Sequence, residues 1–401
     1  MTAPDTHAAR GTDETTGHEM TSADMTGAET TNADTTNADT TDVETAGADT
    51  VDNGIAADDA PGTGAAPVPR TVADADFSTL AEPFRPELLA HCYRMLGSLH
   101  DAEDLVQETY LRAWRGYDRF EGRSSVRRWL YKIATMTCLT ALETRTRRPL
   151  PSGLGAPSDD HRVAVAADRR DIPWLQPAPD ALFAPAPTPA DTASGAADPG
   201  AIVAGRTGIR LAFIAALQHL PARQRAVLTL RDVLAFRTAE TAEILGMTPA
   251  AVDSALRRAR ARLADAAPVE DEQAEPDEAT RRRLLDAYVD AFTRADPAAL
   301  VDLLRADVEL EMPPTPTWFT GRDAVIGFLA SRVLRPGLFR LVPTSANGQP
   351  AAAAYRRTPD GGYDAFDLQV LTLRGPRIAR VTAFLDPGLV PAFGLAPTLT
   401  A

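Results

Sequence analysis

Residues 238–262 read Thr-Ala-Glu-Thr-Ala-Glu-Ile-Leu-Gly-Met-Thr-Pro-Ala-Ala-Val-Asp-Ser-Ala-Leu-Arg-Arg-Ala-Arg-Ala-Arg. A helical stretch from Thr238 to Leu245 meets Gly246, and Thr248-Pro249 then opens a second helix. Thr248 suits the N-cap, where a hydroxyl accepts from an orphan amide, and Pro249 suits the first turn, where no amide donor is needed. Val252, Ala255, Leu256 and Ala259 recur at helical spacing as an inner face. Turned the other way are Ala250, Ala251, Asp253, Ser254, Arg257 and Arg258. Helix, glycine turn, helix is the geometry that lowers a second helix into a major groove, and small residues near its N-terminus allow close approach while the Arg pair reaches bases or phosphates. The competing reading is a three-helix bundle with solvated arginines.

Upstream, Ile209, Phe213, Ala216, Leu217 and Leu220 make one apolar stripe closed by Pro221, and Val227, Leu228, Val233 and Leu234 continue the core. Across 206–264 ten Arg face four acids, a net of +6. A second helical segment occupies 78–148. There Ala102, Leu105, Val106, Thr109, Ala113 and Trp114 fall on one face, leaving Asp104, Gln107, Glu108 and Arg112 outward. After the loop Phe120-Glu-Gly-Arg-Ser-Ser, with Ser125 as N-cap, a helix to Glu143 carries Val126, Leu130, Ile133, Ala134 and Leu139.

Residues 119–148 hold eight bases against two acids, again +6. Here aromatics interleave with the charges: Tyr117, Phe120, Trp129 and Tyr131 beside Arg123, Arg127, Arg128 and Lys132. Basic faces bind phosphate in a salt-dependent way, and unpaired bases stack on aromatic rings, so this module fits single-stranded or melted DNA. Core packing is the alternative role for the rings, for Trp129 in particular.

The rest of the chain is read by composition. The 401 residues carry −14 overall, but residues 1–75 alone hold 15 acids against Arg10 and Arg70. That stretch is a degenerate Thr/Ala/Asp repeat with hardly any large apolar residues, so 1–77 is expected to be a disordered acidic tail. The remainder is nearly neutral, so the global charge does not exclude nucleic acid. No run of eighteen apolar residues exists, and the N-terminus lacks a signal-peptide pattern; no membrane role is expected. Cys92 and Cys138 give neither a metal-ligand spacing nor a disulfide framework, so no metal is expected and the compartment is expected to be the reducing cytoplasm. Residues 149–205, rich in Pro, Ala, Gly and Asp, read as an extended linker, interrupted by the apolar Ile172-Pro-Trp-Leu-Gln-Pro.

Past an acidic break (267–279) the pattern changes. Helices near 280–294 and 297–305 precede a strand near Val308–Met312 and a helix near 322–333. Strands follow near 338–346, 351–357 and 364–385, the last bent at Arg374-Gly-Pro. Helices followed by strands indicate an α+β domain over 280–396. Tyr288, Phe292, Trp318, Phe319, Phe328, Tyr355, Phe366 and Phe384 could line a cavity, with Asp386 at the end of the last strand. The domain contains no His. Asp290, Glu309, Glu311 and Asp367 are the remaining acid–base candidates, and alternation puts Glu309 and Glu311 together on a face expected to meet solvent.

Asp101-Ala-Glu-Asp-Leu-Val-Gln-Glu-Thr-Tyr and Phe120-Glu-Gly-Arg-Ser-Ser-Val-Arg-Arg-Trp-Leu-Tyr-Lys-Ile-Ala-Thr resemble region 2 of the extracytoplasmic-function (ECF) sigma factors of the sigma-70 family. Leu220-Pro-Ala-Arg-Gln-Arg-Ala-Val-Leu and the helix-turn-helix resemble region 4. Arg148-Pro-Leu-Pro-Ser-Gly-Leu-Gly and Pro173-Trp-Leu-Gln-Pro-Ala-Pro-Asp-Ala-Leu resemble the actinobacterial sigma-G-like subgroup, which carries a SnoaL-like (NTF2-fold) domain after region 4. The resemblance implies a multidomain chain: sigma region 2 as a helical bundle (78–148), a linker (149–205), region 4 (206–266) and an α+β SnoaL-like cone (280–396).

It also implies roles. Asp104, Gln107, Glu108 and Arg112 would bind the clamp helices of the largest subunit of core RNA polymerase. Phe120, Arg123, Arg127, Arg128, Trp129, Tyr131, Lys132 and Met136 would open the −10 element and capture a flipped base. Met136 stands where the family usually has Asn, and Thr140 where it has Asp, which leaves the preferred base open. Thr248, Ala250, Ala251, Asp253, Ser254, Arg257 and Arg258 would read the −35 element, with Asp253 repelling phosphate or accepting from a cytosine amino group. Region 4 would also meet the polymerase flap. Expected partners are therefore core polymerase and promoter DNA, with an anti-sigma factor possible but not required and no cofactor.

SnoaL-like folds include cyclases, but the missing His favours a regulatory domain acting in cis over an enzyme; Tyr288, Trp318, Phe328, Tyr355, Phe366 and Asp386 are its pocket candidates. The chain itself is not expected to be an enzyme. Two alternatives remain: a stand-alone helix-turn-helix regulator, and a small-molecule-binding or cyclase-like domain fused to a DNA-binding module.

Overall fold

The computed structural model describes residues 77–120, 124–144, 147–183, 209–266 and 276–400. The acidic tail up to residue 76, Arg123, residues 184–205 of the linker and most of the acidic break lie outside the described residues.

The first module is a three-helix packing of α1 (Arg85–Leu96), α2 (Leu99–Gly116) and α3 (Val126–Glu143). Its helix starts follow local chemistry: Ser98 Oγ accepts from Asp101 N at 3.3 Å, and Ser125 Oγ from Arg128 N at 3.3 Å. Leu88, Cys92, Leu99, Ala102, Val106, Ala113, Leu130, Ala134 and Cys138 fill the core, so both thiols are free but buried. Trp114 departs from the expected face: it is 39% exposed, on the outward side with Leu111 at 49%.

The second module comprises α4 (Leu211–Leu217), α5 (Ala222–Leu228) with a π-helical turn over Thr229–Val233, α6 (Thr238–Leu245) and α7 (Pro249–Ala266). Gly246 takes φ 62°, the left-handed conformation that ends α6, and Ala251 N donates to Thr248 Oγ1 at 3.2 Å. Val252, Ala255, Leu256 and Ala259 are buried as their spacing predicts.

The third part contains α8 (Glu278–Thr293), α9 (Pro297–Leu303), α10 (Arg322–Phe328) and seven strands: β1 (Leu304–Met312), β2 (Thr315–Thr320), β3 (Phe339–Ala346), β4 (Gln349–Arg357), β5 (Tyr363–Arg374), β6 (Arg377–Phe384) and β7 (Thr398–Leu399). The sheet runs β2-β1-β6-β5-β4-β3, with β7 on β5; β1 and β6 are parallel and the other pairs antiparallel. β2 was hidden in the sequence by Pro313-Pro314-Thr-Pro, residues tolerated here because β2 is an edge strand.

Both faces of the sheet are covered. Along β4, Ala351 to Tyr355 are all fully buried. Ala352 and Ala354 face the interior of the α+β domain with Tyr288, Phe292, Phe319 and Phe328, whereas Ala351, Ala353 and Tyr355 join the core of the two helical modules. Alanine on the second face lets the helical elements approach closely, and the continuous apolar run is what a strand buried on both sides requires.

The linker is not free over 147–183. Ser158 pairs with β2, its amide donating to Trp318 O at 2.9 Å and its carbonyl accepting from Thr320 N at 3.1 Å. Further along, Arg169 N donates to Pro314 O at 3.0 Å and Gln176 N to Gly97 O at 3.0 Å. Leu175, rather than Trp174, is the residue that docks: it is fully buried, while the Trp174 indole stays half-buried on Arg169 O at 2.7 Å. Leu175 packs where only glycine fits, since a Cβ on Gly97 would lie 2.8 Å from Leu175 Cδ1 and Gly97 has φ 69°.

Candidate nucleic-acid interface

The outward face of α2 carries Asp104 and Gln107, both exposed, and Glu108 paired with Arg112 at 2.6 Å. Beside them Phe77, Gln107, Tyr110, Leu111 and Trp114 line an open cavity of about 530 Å³. Sequence reasoning named the polar half of this face. It missed the apolar half, because Trp114 falls at core spacing.

The basic aromatic helix α3 is divided. Tyr131 is wholly buried, with its hydroxyl on Glu87 Oε2 at 3.2 Å, and Trp129 stacks on Phe120 at 4.6 Å. Burial drives the Tyr131 hydroxyl far above its ordinary pKa. Tyr131 therefore sits where the core-packing alternative would have it. Lys132 and Met136 are exposed, Met136 to 41%.

Arg127 and Arg128 are engaged by other parts of the chain. Arg127 Nε donates to Glu87 at 2.8 Å, and its guanidinium lies 4.9 Å from the Phe236 ring centre. Arg128 Nη1 stands 3.8 Å from Glu240 and 3.6 Å from Glu243, both on α6. Phe236 also meets Tyr131 edge-on at 5.2 Å.

Thr248, which caps α7, and Ala250, Asp253, Arg257 and Arg258 on it are exposed, with Ala251 and Ser254 half-buried. Arg258 Nη1 donates to Ser254 Oγ at 2.7 Å, and Asp253 accepts from Thr238 Oγ1 at 3.4 Å, tying the two helices of the motif together.

The six pocket candidates of the α+β domain do not converge. Tyr288, Phe328 and Phe366 belong to its interior. Trp318 lies opposite Glu311 on the outer side of the sheet and donates to Gly155 O at 2.9 Å. Tyr355 points into the other core, its hydroxyl on Ala396 O at 2.8 Å. Asp386 is exposed and caps the turn Pro387–Phe393 by accepting from Gly388 N at 3.0 Å. β-Strand alternation separates Trp318 and Tyr355 from the interior group, and Asp386 sits beyond the end of β6.

Glu309 and Glu311 do share a face, but Glu311 is fully buried rather than solvated. It accepts from Ser152 N at 2.9 Å because the linker covers it, and Arg380 joins both carboxylates, at 2.6 Å to Glu309 and 3.9 Å to Glu311. Burial opposes the Arg380 charge, yet Glu311 and Glu309 outweigh it and hold its pKa above the ordinary value. Within the domain, Tyr288 donates to Gln369 Oε1 at 2.7 Å, Gln369 Nε2 to Asp367 Oδ2 at 3.3 Å, and Asp367 Oδ1 has no partner. Burial pushes the Asp367 carboxyl up to about 7. Among the described residues no group of three or more His, Cys, Asp or Glu is placed to hold a metal ion, and no helix is long and apolar enough to cross a membrane.

Two buried polar residues that sequence reasoning did not single out join the parts. Arg225 of α5 donates to Met95 O at the end of α1 and to Gln218 Oε1 at 2.9 Å. Asn347, at the β3–β4 turn, donates from Nδ2 to the Tyr93 hydroxyl at 2.9 Å and to Ile209 O at 2.5 Å, while its Oδ1 accepts from Ala178 N at 2.9 Å. Its φ of 56° is the left-handed signal an Asn-Gly pair offers.

Three family models match in order: Sigma-70 region 2 over 80–148, Sigma-70 region 4 over 210–263 and a SnoaL-like domain over 285–381. The ECF RNA polymerase sigma factor SigG of Mycobacterium tuberculosis is 49% identical over 327 residues, 81% of this chain and 85% of that protein. The chain belongs to the ECF sigma factors. SigJ of the same species is 30% identical over 321 residues, 76% of this chain and 90% of SigJ. The crystal structure of SigJ covers 80% of this chain and 100% of its own at a TM-score of 0.50 and 24% identity, a likeness of fold. The sigma factor thus joins helical regions 2 and 4 to a SnoaL-like α+β domain.

Proposed function

We propose that the exposed face of α7 reads the −35 element, that α3 opens the −10 element, and that the outward face of α2 seats the sigma factor on the clamp helices of core RNA polymerase. The observation that carries this assignment is the exposure of Thr248, Ala250, Asp253, Arg257 and Arg258 on a helix whose opposite face is buried. Polar Asp104, Gln107 and Glu108 ringing apolar Leu111 and Trp114 are the composition of a protein-binding face. Catalysis of nucleotidyl transfer is left to the polymerase, and the protein acts on DNA in the cytoplasm.

The SnoaL-like domain regulates in cis. Asn347 supports this, because one side chain of that domain holds region 2 through Tyr93, the linker through Ala178 and the entry to region 4 through Ile209. Footprinting of polymerase loaded with the full chain on a promoter tests the assignment. Arg257→Ala should remove protection near −35 and leave it at −10; unchanged protection at both elements would refute the role of α7.

A further inference from the structure

Resting on the reading of α7 as the −35 helix, we infer that Asp253 and Arg257 are its base-reading pair. Asp253 accepts from the N4 amino group of a cytosine, and Arg257 donates to O6 and N7 of a guanine within two base-pair steps of it. Both residues are exposed on one stripe of α7, four positions apart. That spacing separates them by about 6 Å along the helix axis, against about 3.4 Å for each base-pair step. The arginines further along α7 are engaged within the chain. Arg258 Nη1 donates to Ser254 Oγ at 2.7 Å, Arg260 holds Asp232 through two bonds at 2.9 and 2.7 Å, and Arg262 Nη1 donates to Gln224 Oε1 at 3.3 Å. Arg257 has no side-chain partner among the described residues, so its guanidinium is available to a ligand.

Nothing local requires an acid at position 253. The N-cap of α7 is supplied by Thr248, whose Oγ1 accepts from Ala251 N at 3.2 Å. Since α7 starts at Pro249, Asp253 lies past the first turn, where the helix dipole no longer favours a carboxylate. Its spacing to Arg257 suits an ion pair, yet among the described residues no cation stands within ion-pair distance of it. The one contact is with α6, where Asp253 Oδ1 accepts from Thr238 Oγ1 at 3.4 Å. That bond orients the carboxylate without neutralising it and leaves Oδ2 to face outward partners.

The base edges then select cytosine. A carboxylate only accepts hydrogen bonds. In the major groove guanine presents two acceptors and thymine one, and both bases repel it. Adenine sets its N7 acceptor beside the N6 amino group, whereas cytosine presents the N4 amino group alone. Ala250 and Ala251, one turn before, leave room for the close approach that so short a side chain needs. Arg257 is longer and forked, which matches the paired O6 and N7 acceptors of guanine. On any other sequence the Asp253 charge lies among phosphates and opposes binding, so this residue raises discrimination rather than affinity.

The test is transcription by core polymerase carrying the full chain, from promoters randomised across the −35 element, with the enriched bases read by sequencing. Wild type should prefer one orientation of a C·G pair at two positions within two steps of each other, each about tenfold over the other pairs. Asp253→Ala should flatten the cytosine position alone. Asp253→Asn presents a donor beside an acceptor and should move that position to adenine, and Arg257→Gln should move the guanine position to adenine. Thr238→Val removes the tie to α6 and keeps the carboxylate, so it should keep the wild-type pattern. Promoter-specific transcripts in which the Asp253 and Arg257 variants still enrich the wild-type bases would overturn the base assignments and leave α7 as the −35 helix. So would a Thr238→Val pattern equal to that of Asp253→Ala, which would make Asp253 a brace for α6. A wild-type chain that enriches no base anywhere in the −35 element would overturn the base assignments and the −35 reading together.

Discussion

Asn347 Nδ2 lies 2.9 Å from the hydroxyl of Tyr93, a residue 254 positions earlier in the chain. The Tyr93 hydroxyl in turn donates to Gln176 O at 2.7 Å, so one buried phenol links region 2, the linker and the SnoaL-like domain. Burial forces this arrangement. An amide and a hydroxyl removed from water must be paired, and each unpaired group costs about 1–3 kcal/mol. Asn347→Leu strands Ile209 O and Ala178 N, removes one of the two bonds of the Tyr93 hydroxyl, and forces a branched residue into positive φ. Thermal unfolding should show a loss of about 3 kcal/mol or more, against a much smaller loss for the exposed control Asp364→Ala.

Arg225 makes a second prediction. Its guanidinium is buried and pushed down to about 10 by that burial, yet it stays charged at neutral pH and donates to Met95 O, Gln218 and Leu220 O. Arg225→Leu should destabilise the chain by about 3 kcal/mol or more, because it leaves Met95 O, Gln218 Oε1 and Leu220 O without their donor at about 1–3 kcal/mol per buried unpaired group. Arg225→Lys should rescue only part, since an ammonium cannot span the same forked set of acceptors. Denaturant titration of both variants separates lost charge from lost geometry.

Two buried titratable groups act in opposite directions on stability. The Asp367 carboxyl is raised from 3.8 to about 7 by burial, so its contribution is greatest in acid and is lost as pH rises through 7. His91 is lowered from 6.5 to about 3, by burial first and by Arg94 second, so its contribution is present above 6.5 and is lost as pH falls through 3. Between pH 4 and 6.5 they oppose one another and the wild-type curve is flattened. Asp367→Asn should therefore lose stability on acidification more steeply than wild type, and should exceed it by up to about 4 kcal/mol above pH 7. Unfolding free energies of the two chains from pH 4 to 8 check the sign; parallel curves would contradict it.

On α2, Leu111→Ala or Trp114→Ala removes exposed apolar area beside Asp104 and Gln107. Central apolar anchors of protein interfaces contribute about 1–3 kcal/mol, so each substitution should weaken polymerase binding by about tenfold to a hundredfold. Thermal stability should change little, because neither side chain belongs to the buried core. Titration calorimetry against core polymerase and a melting curve provide the two readouts.

What the sequence displayed, and what it concealed, follows the range of the interactions concerned. The helix-turn-helix was legible because its signals are local: Gly246 for the left-handed stop, Thr248 for the cap, and Val252 to Ala259 for the inner face. The α+β class was likewise carried by periodicity. Burial of Glu311 was not legible, because the group that covers it, Ser152 N, comes 159 residues earlier from a segment whose composition reads as linker. The position of Tyr355 failed for a related reason. Alternation says that one face differs from the other, but not that the outer face is covered by the helical modules. Arg127 and Arg128 were legible as two of the bases of α3, while their engagement by Glu87, Glu240 and Glu243 depends on tertiary packing alone.

Promoter-directed transcription with purified core polymerase, comparing the full chain with its Asp104→Ala/Gln107→Ala/Glu108→Ala variant, tests the central claim most directly. The account predicts specific transcripts from the full chain, and from the variant neither transcripts nor polymerase binding, with duplex −35 DNA still bound. Promoter DNA binding by the full chain, with no polymerase binding and no transcripts, would contradict the account and identify a stand-alone regulator instead.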